Sequence, residues 1–185
     1  RLAPDLPLSA RSRTMPNYHV ADRTPVLADP AEWGLVVGGL VRKPTRLTLP
    51  MLQGLPRTSY TVTHHCVEGW TAVATWTGVP LSAIASLVEP TDDARYLRVD
   101  SFDRTRTGVP YYNGWDLSSA MHPQTILAYA FNDRPIMPEH GAPLRLYSPI
   151  KLGYKLTKYV TTLTFTRDRP GGYWEDQGYP WLGGV

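Results

Sequence analysis

The sequence has 185 residues, of which 42% are hydrophobic, and a formal net charge of +3 with a pI near 9.0, values that suit one ordinary globular domain. Its basic residues are scattered or paired, which argues against a nucleic-acid interface, and its apolar runs are far shorter than the ~20 residues of a membrane helix. Its single cysteine, Cys66, excludes an intrachain disulfide and cysteine-rich zinc sites.

Residues 1–30 contain five prolines and show little hydrophobic periodicity. Because proline restricts its own φ and the conformation of the residue before it, this segment is predicted to be an extended arm that lies over the domain. We expect residues 31–185 to form one domain. Eighteen prolines and fifteen glycines divide the chain into short elements, which favours a strand-rich α+β fold with few long helices.

Six segments have the β-branched composition or the alternation that is typical of strands. In chain order they are residues 35–41, 59–64, 96–99, 125–131, 144–147 and 159–166. Three segments predict short helices: one begins after Thr48, one covers residues 80–88 with its apolar side chains on a single face, and one follows Asp116. The dipeptide Asn132-Asp133 predicts a turn at the end of the fourth strand.

Four titratable side chains, those of His64, His65, Cys66 and Glu68, follow one another where the second predicted strand ends. Scaffolds often present functional groups at such a junction. Three chemistries fit these residue types: a zinc site with His64 and Cys66, a cysteine nucleophile paired with a histidine, and a thiolate ligand to a metal whose other donors come from an organic cofactor. An inert, buried thiol is the fourth interpretation. The thiolate ligand explains why one cysteine would suffice.

Several blocks of the sequence form an ordered set of motifs between about Pro16 and Tyr179. The blocks are Cys66-Val67-Glu68-Gly69-Trp70, Trp76-Thr77-Gly78-Val79-Pro80-Leu81, Met121-His122-Pro123, His140-Gly141-Ala142-Pro143-Leu144-Arg145, Lys151-Leu152-Gly153-Tyr154-Lys155, Gly172-Tyr173-Trp174-Glu175 and Gly178-Tyr179. In order and spacing they resemble the sulfite-oxidase-like molybdopterin-binding oxidoreductases. Within that family, the Cys-Val-Glu-small-Trp form is similar to the catalytic subunit of the periplasmic methionine sulfoxide reductase.

The resemblance implies a mixed, strand-rich fold with short helices and a molybdenum ion held by molybdopterin. Cys66 would add one thiolate to the two sulfurs of the pterin dithiolene. Arg145 and Lys158, with the backbone near Leu156 and Thr157, match the family's phosphate-holding positions. Ionised donors suit that role because they make the strongest hydrogen bonds to phosphate.

The resemblance also implies residues that contact the pterin ring or lie near the metal. The candidates for the pterin are Asn17, Tyr18 and His19 in the arm, together with His140. His140 stands where the sulfoxide reductase has an asparagine, although the animal-type sulfite oxidases use histidine there. Ser101 occupies the position of a threonine near the metal. Tyr111, Tyr112 and Trp115 form an aromatic cluster that could line a substrate entrance or simply pack.

The implied reaction is oxygen-atom transfer to or from a small-molecule substrate. A sulfite oxidase would be expected to carry arginines just after the cysteine, but here those positions hold Glu68, Gly69, Trp70 and Thr71. Because the Glu68 carboxylate would repel the sulfite dianion, we expect a neutral or zwitterionic substrate, such as a sulfoxide that is reduced. A sulfite dehydrogenase is the closer alternative, and a cofactor-free binding or scaffold domain is the alternative of another class.

The expected partners and location also follow from the resemblance. Electrons would come from a membrane haem protein or a cytochrome. The chain leaves no room after Tyr179 for the immunoglobulin-like dimerisation domain of the family's sulfite oxidases, which predicts a monomer. The expected location is periplasmic or otherwise extracytoplasmic, reached through a signal or anchor that is not in this sequence.

Overall fold

Two five-stranded sheets dominate the computed structural model, which describes all residues from 1 to 185. The strands are β1 (Leu35–Gly39), β2 (Thr45–Leu47), β3 (Thr58–His65), β4 (Thr71–Pro80), β5 (Tyr96–Arg104), β6 (Pro110–Asp116), β7 (Ile126–Phe131), β8 (Arg134–Pro135), β9 (Arg145–Tyr147) and β10 (Val160–Thr166). The first sheet has the order β2-β1-β10-β5-β6, and only its β1–β10 pair is parallel. The second is antiparallel with the order β3-β4-β7-β8, and β9 also pairs with β7.

The helices are short. They are α1 (Leu49–Gln53), α2 (Leu81–Val88), α3 (Leu117–Ala120) and four 3-10 turns at Leu8–Ala10, Pro138–His140, Gly153–Lys155 and Glu175–Gln177. The Thr48 side chain caps α1, and the Asp116 carboxylate caps α3 by accepting from the backbone N–H of Ser119 at 2.8 Å. The predicted α+β fold with short helices is confirmed. No helix is both long and apolar enough to cross a bilayer.

A single hydrophobic core joins the two sheets. One contiguous cluster of 31 buried residues draws side chains from both, including Val37 and Leu163 from the first sheet and Trp76 and Leu127 from the second. Helix α2 adds the four apolar residues that its sequence places on one face, all of them buried. The core therefore fixes the sheets relative to each other and to the loops between them.

Four strands were not predicted from the sequence: the short strands β2 and β8, and the longer strands β4 and β6. Strand β4 lies between β3 and β7 and is buried on both faces over much of its length, so its sequence lacks the alternation of a half-buried strand. Strand β6 pairs with β5 along the edge of the first sheet.

The prediction also placed Tyr159 in the last strand, but Tyr159 has a φ of +57° and β10 begins at the next residue. That left-handed turn interrupts the regular alternation of the sequence.

The first 34 residues contain no strand, and residues 3–12 follow the outside of the second sheet. The Leu6 N–H donates to the Thr61 carbonyl at 2.7 Å, the Thr61 N–H donates to the Asp5 carboxylate at 2.7 Å, and the Ser12 N–H donates to the Val73 carbonyl at 2.9 Å. This cover explains why Thr61 is buried although it lies on the polar face of β3. Residue 30 as the boundary between arm and domain stays a prediction.

Candidate active site

A cavity of about 370 Å³ opens where five parts of the chain meet: the arm, the end of β3 with the turn after it, the adjoining ends of β5 and β6, residues 145–158 and the C-terminal segment. Its lining residues are Met15, Pro16, Asn17, Tyr18, His19, Val20, His64, Cys66, Val67, Glu68, Trp70, Asp103, Tyr111, Arg145, Gly153, Tyr154, Leu156, Lys158, Trp174 and Tyr179. Seven of the ten residues singled out from the sequence lie in this lining. The sequence motifs thus converge on one site.

Cys66 lies at the start of the tight turn that joins β3 to β4. Its N–H donates to the Trp70 carbonyl at 3.0 Å, and its carbonyl accepts from the Gly69 N–H at 3.1 Å. Gly69 has a φ of +89°, a conformation that favours glycine. The turn therefore presents the half-buried thiol to the cavity on a rigid hairpin.

The surroundings of Cys66 favour the protonated thiol. Partial burial raises the pKa of Cys66 and the nearby Glu68 carboxylate raises it further, while backbone N–H groups of Glu68 and Val67 act in the opposite direction. A metal ion that binds the sulfur must therefore displace a proton.

The other chemistries considered for this cysteine find little support. No group of three or more His, Cys, Asp and Glu side chains is arranged to hold a metal, so a zinc ion would lack protein ligands. Cys66 makes no hydrogen bond to an imidazole, as a cysteine nucleophile would require. Because Cys66 lines a cavity, it is not an inert thiol packed among aliphatic groups.

Two cations in the cavity wall have no carboxylate partner. Arg145 is only 6% exposed and Nη1 donates to the His140 carbonyl at 3.2 Å, while Lys158 Nζ donates to the Glu139 carbonyl at 2.8 Å. Neither forms a salt bridge. Burial lowers the pKa of Arg145 to about 10, and burial together with the Arg145 charge lowers the pKa of Lys158 to about 7. Since uncompensated buried charge is costly, this arrangement fits an anionic ligand.

Several buried polar atoms in and beside the cavity have no hydrogen-bond partner. They are His64 Nδ1, Trp70 Nε1, His140 Nδ1, Arg145 Nε and the Tyr159 hydroxyl. An unsatisfied buried donor or acceptor costs about 1–3 kcal/mol, so such a group of them marks a place where a polar ligand binds. A pterin ring with a phosphate ester supplies both the planar hydrogen-bonding groups and the negative charge, and the residues present therefore fit molybdopterin.

The imidazoles of two histidines, His64 and His140, are neutral. Burial lowers the pKa of His64 to about 3, and the Arg145 charge contributes to the shift. Burial and the charges of Arg145 and Lys158 lower the pKa of His140 to about 4. At neutral pH each ring therefore has one nitrogen that donates and one that accepts.

The arm supplies one wall of the cavity. Asn17, Tyr18 and His19 all line it, and the Tyr18 ring centroid lies 6.4 Å from that of Trp70. The nearby Glu68 raises the pKa of the Tyr18 hydroxyl. The His19 ring is oriented within the arm, since Nδ1 donates to the Ala21 carbonyl at 2.7 Å.

Three of the predicted site residues lie behind the lining. The buried Ser101 Oγ donates to the Lys158 carbonyl at 2.7 Å, and Thr157 Oγ1 donates to Asn113 Oδ1 at 2.7 Å. The His140 ring stacks on Phe131 with 4.3 Å between ring centroids. The Ser101 side chain therefore supports the backbone at Lys158, whereas the Thr157 and His140 side chains pack on other residues.

The aromatic cluster singled out from the sequence divides among three environments. Tyr111 lines the cavity and donates from its hydroxyl to the Tyr154 carbonyl. Tyr112 lies under the Arg98 guanidinium, whose central carbon is 4.0 Å from the ring centroid. Trp115 is buried in the core and donates from Nε1 to the Lys155 carbonyl at 3.1 Å. Only Tyr111 is in a position to meet a substrate or cofactor.

Sequence reasoning missed several residues of the lining. Trp70, Trp174 and Tyr179 lie inside the quoted motifs, so their motif membership was the available signal, whereas His64 precedes the first motif by two residues and was considered only as a zinc ligand. Asp103 has no such signal, because an isolated aspartate near the end of a strand resembles any solvated acid. It is nevertheless only 3% exposed and lines the cavity.

The comparisons with known proteins agree with this geometry. Residues 21–174 match the family described as oxidoreductase molybdopterin binding domain. The whole chain is 40% identical over 185 residues to a putative protein-methionine-sulfoxide reductase subunit YedZ1 of Azospira oryzae and covers 68% of it. It is 35% identical over 154 residues to the protein-methionine-sulfoxide reductase catalytic subunit MsrP of Xanthomonas axonopodis pv. citri, a match over 78% of this chain and 48% of the relative.

The solved structure of the sulfane dehydrogenase SoxCD from Paracoccus pantotrophus has the same fold, with a TM-score of 0.70 and 22% identity over 78% of this chain and 40% of that one. At this identity the likeness concerns the fold alone. The motifs, the matched family and the fitting cavity agree with one another. The chain therefore belongs to the oxidoreductase molybdopterin binding domain family, whose enzymes work with a molybdenum–molybdopterin cofactor.

Proposed function

We propose that this chain reduces a neutral sulfoxide, with Cys66 as the protein ligand to molybdenum. The observation that carries the proposal is the cavity itself, which combines one thiol with two cations that have no carboxylate partner. The names of the relatives from Azospira oryzae and Xanthomonas axonopodis support sulfoxide reduction. The chain spans about half the length of the Xanthomonas relative, so the activity of the whole protein is part of the proposal.

The residues divide into three groups by role. Cys66 holds the metal, Arg145 and Lys158 bind the phosphate with backbone groups near Leu156 and Thr157, and the arm residues Asn17, Tyr18 and His19 with the neighbouring His140 and Ser101 contact or support the pterin. When bound, the cofactor supplies two-electron oxygen-atom transfer. Reduction of a sulfoxide consumes two electrons and two protons and releases a thioether and water.

The protein's own part in this reaction is to bind, orient and deliver protons. The aromatic side chains of Trp70, Tyr111 and Trp174 form an apolar wall that suits the methyl and methylene groups of a thioether. Glu68 is exposed at the cavity mouth, and its influence raises the pKa of the nearby Tyr18 hydroxyl. This pair is the candidate route for protons at the cavity mouth.

The charge at the mouth supports a neutral substrate. Glu68 lines the cavity two residues after Cys66, where its carboxylate opposes the approach of a dianion such as sulfite. The positive charges of Arg145 and Lys158 do not cancel this repulsion, because in this proposal the cofactor phosphate neutralises them. We therefore favour sulfoxide reduction over sulfite oxidation.

The proposal includes a redox partner. Relatives that are named as subunits of a reductase fit a separate electron donor, which we propose is a membrane haem protein or a cytochrome. A periplasmic or otherwise extracytoplasmic location and a monomeric catalytic chain belong to the same proposal.

The decisive experiment combines metal analysis with steady-state assays on purified protein. We expect about one molybdenum and one pterin per chain, turnover of a peptide methionine sulfoxide with a reduced dye as electron donor, and little oxidation of sulfite with ferricyanide as acceptor. Cys66→Ser should abolish turnover and the thiolate-to-metal absorption band. Metal-free protein from a molybdenum-replete host, or sulfite turnover faster than sulfoxide turnover, would refute the proposal.

A further inference from the structure

The arm crosses the cavity between two separate attachments. Residues 3–12 are fixed to the second sheet and its neighbouring loop, for example through the Ala3 N–H to Gln124 Oε1 at 2.8 Å and the Ser12 N–H to the Val73 carbonyl at 2.9 Å. The backbone of residues 13–19 then makes no hydrogen bond to the rest of the protein. This unattached stretch includes most of the arm residues that line the cavity.

The second attachment holds the arm backbone through one carboxylate, with a single exposed ion pair beside it, between Asp22 and Arg106 at 4.0 Å. The Val20 N–H donates to Asp103 Oδ2 at 2.8 Å, and the Ala21 N–H donates to Asp103 Oδ1 at 3.0 Å. Asp103 is itself held in place, because its N–H donates to Ser101 Oγ at 2.9 Å and that hydroxyl donates to the Lys158 carbonyl at 2.7 Å. Charge-assisted bonds of this kind are among the stronger hydrogen bonds of proteins.

The charge of Asp103 opposes the other function of the cavity. Its carboxylate lines the same cavity as Arg145 and Lys158 and lies near enough to Lys158 to raise the pKa of that amine. A negative charge there weakens the attraction for a phosphate ester. Two backbone N–H groups that point at both of its oxygens provide a different reason for its presence.

We propose that Asp103 is a latch, a positioning residue that keeps the arm closed over the cofactor and thereby limits how fast the cofactor enters and leaves. When the two bonds break, the stretch from Arg13 to His19 has no backbone hydrogen bond to the body and keeps only side-chain contacts, such as the packing of Met15 against the core, so it opens more readily. The inference rests on the proposed binding of the cofactor phosphate by Arg145 and Lys158. Local opening of this kind is expected where few backbone bonds hold a segment.

The first test measures hydrogen exchange in the purified, cofactor-loaded protein. Asp103→Asn keeps the size of the side chain but leaves one oxygen acceptor for two N–H groups. We expect the Val20 and Ala21 amides to exchange at least tenfold faster, with the Leu6 and Ser12 amides unchanged. Asp100→Asn is the matched control, since it removes the same charge from the same strand, where the side chain pairs with Arg98 instead. Unchanged exchange at Val20 would overturn the latch.

The second test measures release of the cofactor, followed by pterin fluorescence and by molybdenum that stays with the protein after dialysis. A latch predicts release about tenfold faster in Asp103→Asn and unchanged in Asp100→Asn. If Asp103 acted only through its charge, the same substitution would retain the anionic cofactor longer, so slower release contradicts the proposal.

A second variant approaches the latch from the arm and keeps the carboxylate. Ala21→Pro removes one of the two donors at a residue whose φ is not positive. It should accelerate both release and exchange at Val20 as Asp103→Asn does, and an unaltered rate in a folded Ala21→Pro protein counts against the proposal. Should wild-type protein contain no pterin at all, the proposed function fails, while exchange at Val20 still decides whether Asp103 holds the arm.

Discussion

The two sides of the cavity are built in different ways. Arg145 belongs to β9, has a buried side chain and pairs through its backbone with Ala128 of β7. Tyr18, on the arm, is 56% exposed and belongs to a stretch with no backbone bond to the body. The buried side, with Arg145, binds charge through groups that packing has already oriented. The arm side, with Tyr18, covers the site with groups that only a few contacts keep in place. Preorganisation of this kind is what makes a buried cation an effective anion binder.

On the buried side, the groups that favour cofactor binding lower the stability of the folded protein. Arg145 and Lys158 are cations without a carboxylate partner, which destabilises the folded protein until an anion arrives. The arm carries no comparable cost. Substitutions on the buried side should therefore change cofactor affinity and stability in opposite directions, whereas substitutions on the arm should change both only slightly.

The largest expected effect is that of Arg145→Gln. Loss of two charge-assisted bonds to a phosphate costs about 3–4 kcal/mol, which corresponds to about 10²- to 10³-fold weaker cofactor binding. The cofactor-free variant should unfold at the same temperature as the wild type or higher, because a buried charge has been removed. The measurements are molybdenum content and thermal unfolding, with Arg98→Gln as a control on a partly exposed arginine that lies outside the cavity lining and pairs with Asp100. A cofactor-loaded Arg145→Gln protein would show that the phosphate lies elsewhere.

Lys158 should make cofactor binding depend on pH. With a pKa of about 7 in the cofactor-free protein, its amine loses its charge above neutral pH, so binding of the phosphate requires proton uptake and weakens by up to about tenfold per pH unit. We expect affinity to fall between pH 7 and pH 9 in the wild type and to stay nearly flat in Lys158→Gln. Equal slopes for the two proteins would contradict the assignment.

The same residue predicts the pH dependence of stability. Its pKa in the folded, cofactor-free protein lies below the 10.5 of a free lysine, so the unfolded chain binds more protons between these two values. The free energy of unfolding should therefore rise as pH increases from about 7 to about 10.5, and this rise should be smaller in Lys158→Gln. Urea titrations of cofactor-free protein at several pH values measure both.

The contrast between the two sides also explains what the sequence could predict. The strand before Cys66, the α2 helix and the turn at Asn132-Asp133 follow from local periodicity and turn chemistry, and all three are present. Strand β4 was not predicted, because burial on both faces removes the alternation on which strand prediction depends. Local patterns therefore predict many elements with one buried face and miss β4, which is buried on both faces, as well as the short strands β2 and β8.

The residues of the site also divide into those that the sequence predicted and those that it did not. The motif residues Cys66, Arg145 and Lys158 converge on one cavity, as the resemblance to the family implied. Asp103 could not be found, because its role depends on two amides more than 80 residues earlier in the chain. Ser101, Thr157 and His140 were placed at the site by motif position, whereas their location behind the lining depends on tertiary packing that no local pattern encodes.

A substitution of Glu68, at the mouth of the cavity, should have a moderate effect on substrate selection. Glu68→Gln removes the carboxylate that faces an approaching anion, and one exposed charge changes the apparent KM for a dianion by roughly three- to fivefold at low salt. We expect the KM for sulfite to fall by that factor and the KM for an uncharged sulfoxide to stay the same. Addition of salt should reduce the difference. An equal change for both substrates would show that Glu68 orients the site and does not select by charge.

The smallest effect is expected on the arm. Tyr18→Phe removes the exposed hydroxyl whose pKa Glu68 raises but keeps the ring beside Trp70, and exposed polar groups contribute little net stability. Cofactor affinity should change by less than about threefold. If the hydroxyl also passes protons at the cavity mouth, kcat falls while affinity is preserved, so the two measurements separate its roles. A loss of affinity as large as that of Arg145→Gln would mean that the arm carries binding energy of its own and that the two sides of the cavity are equivalent.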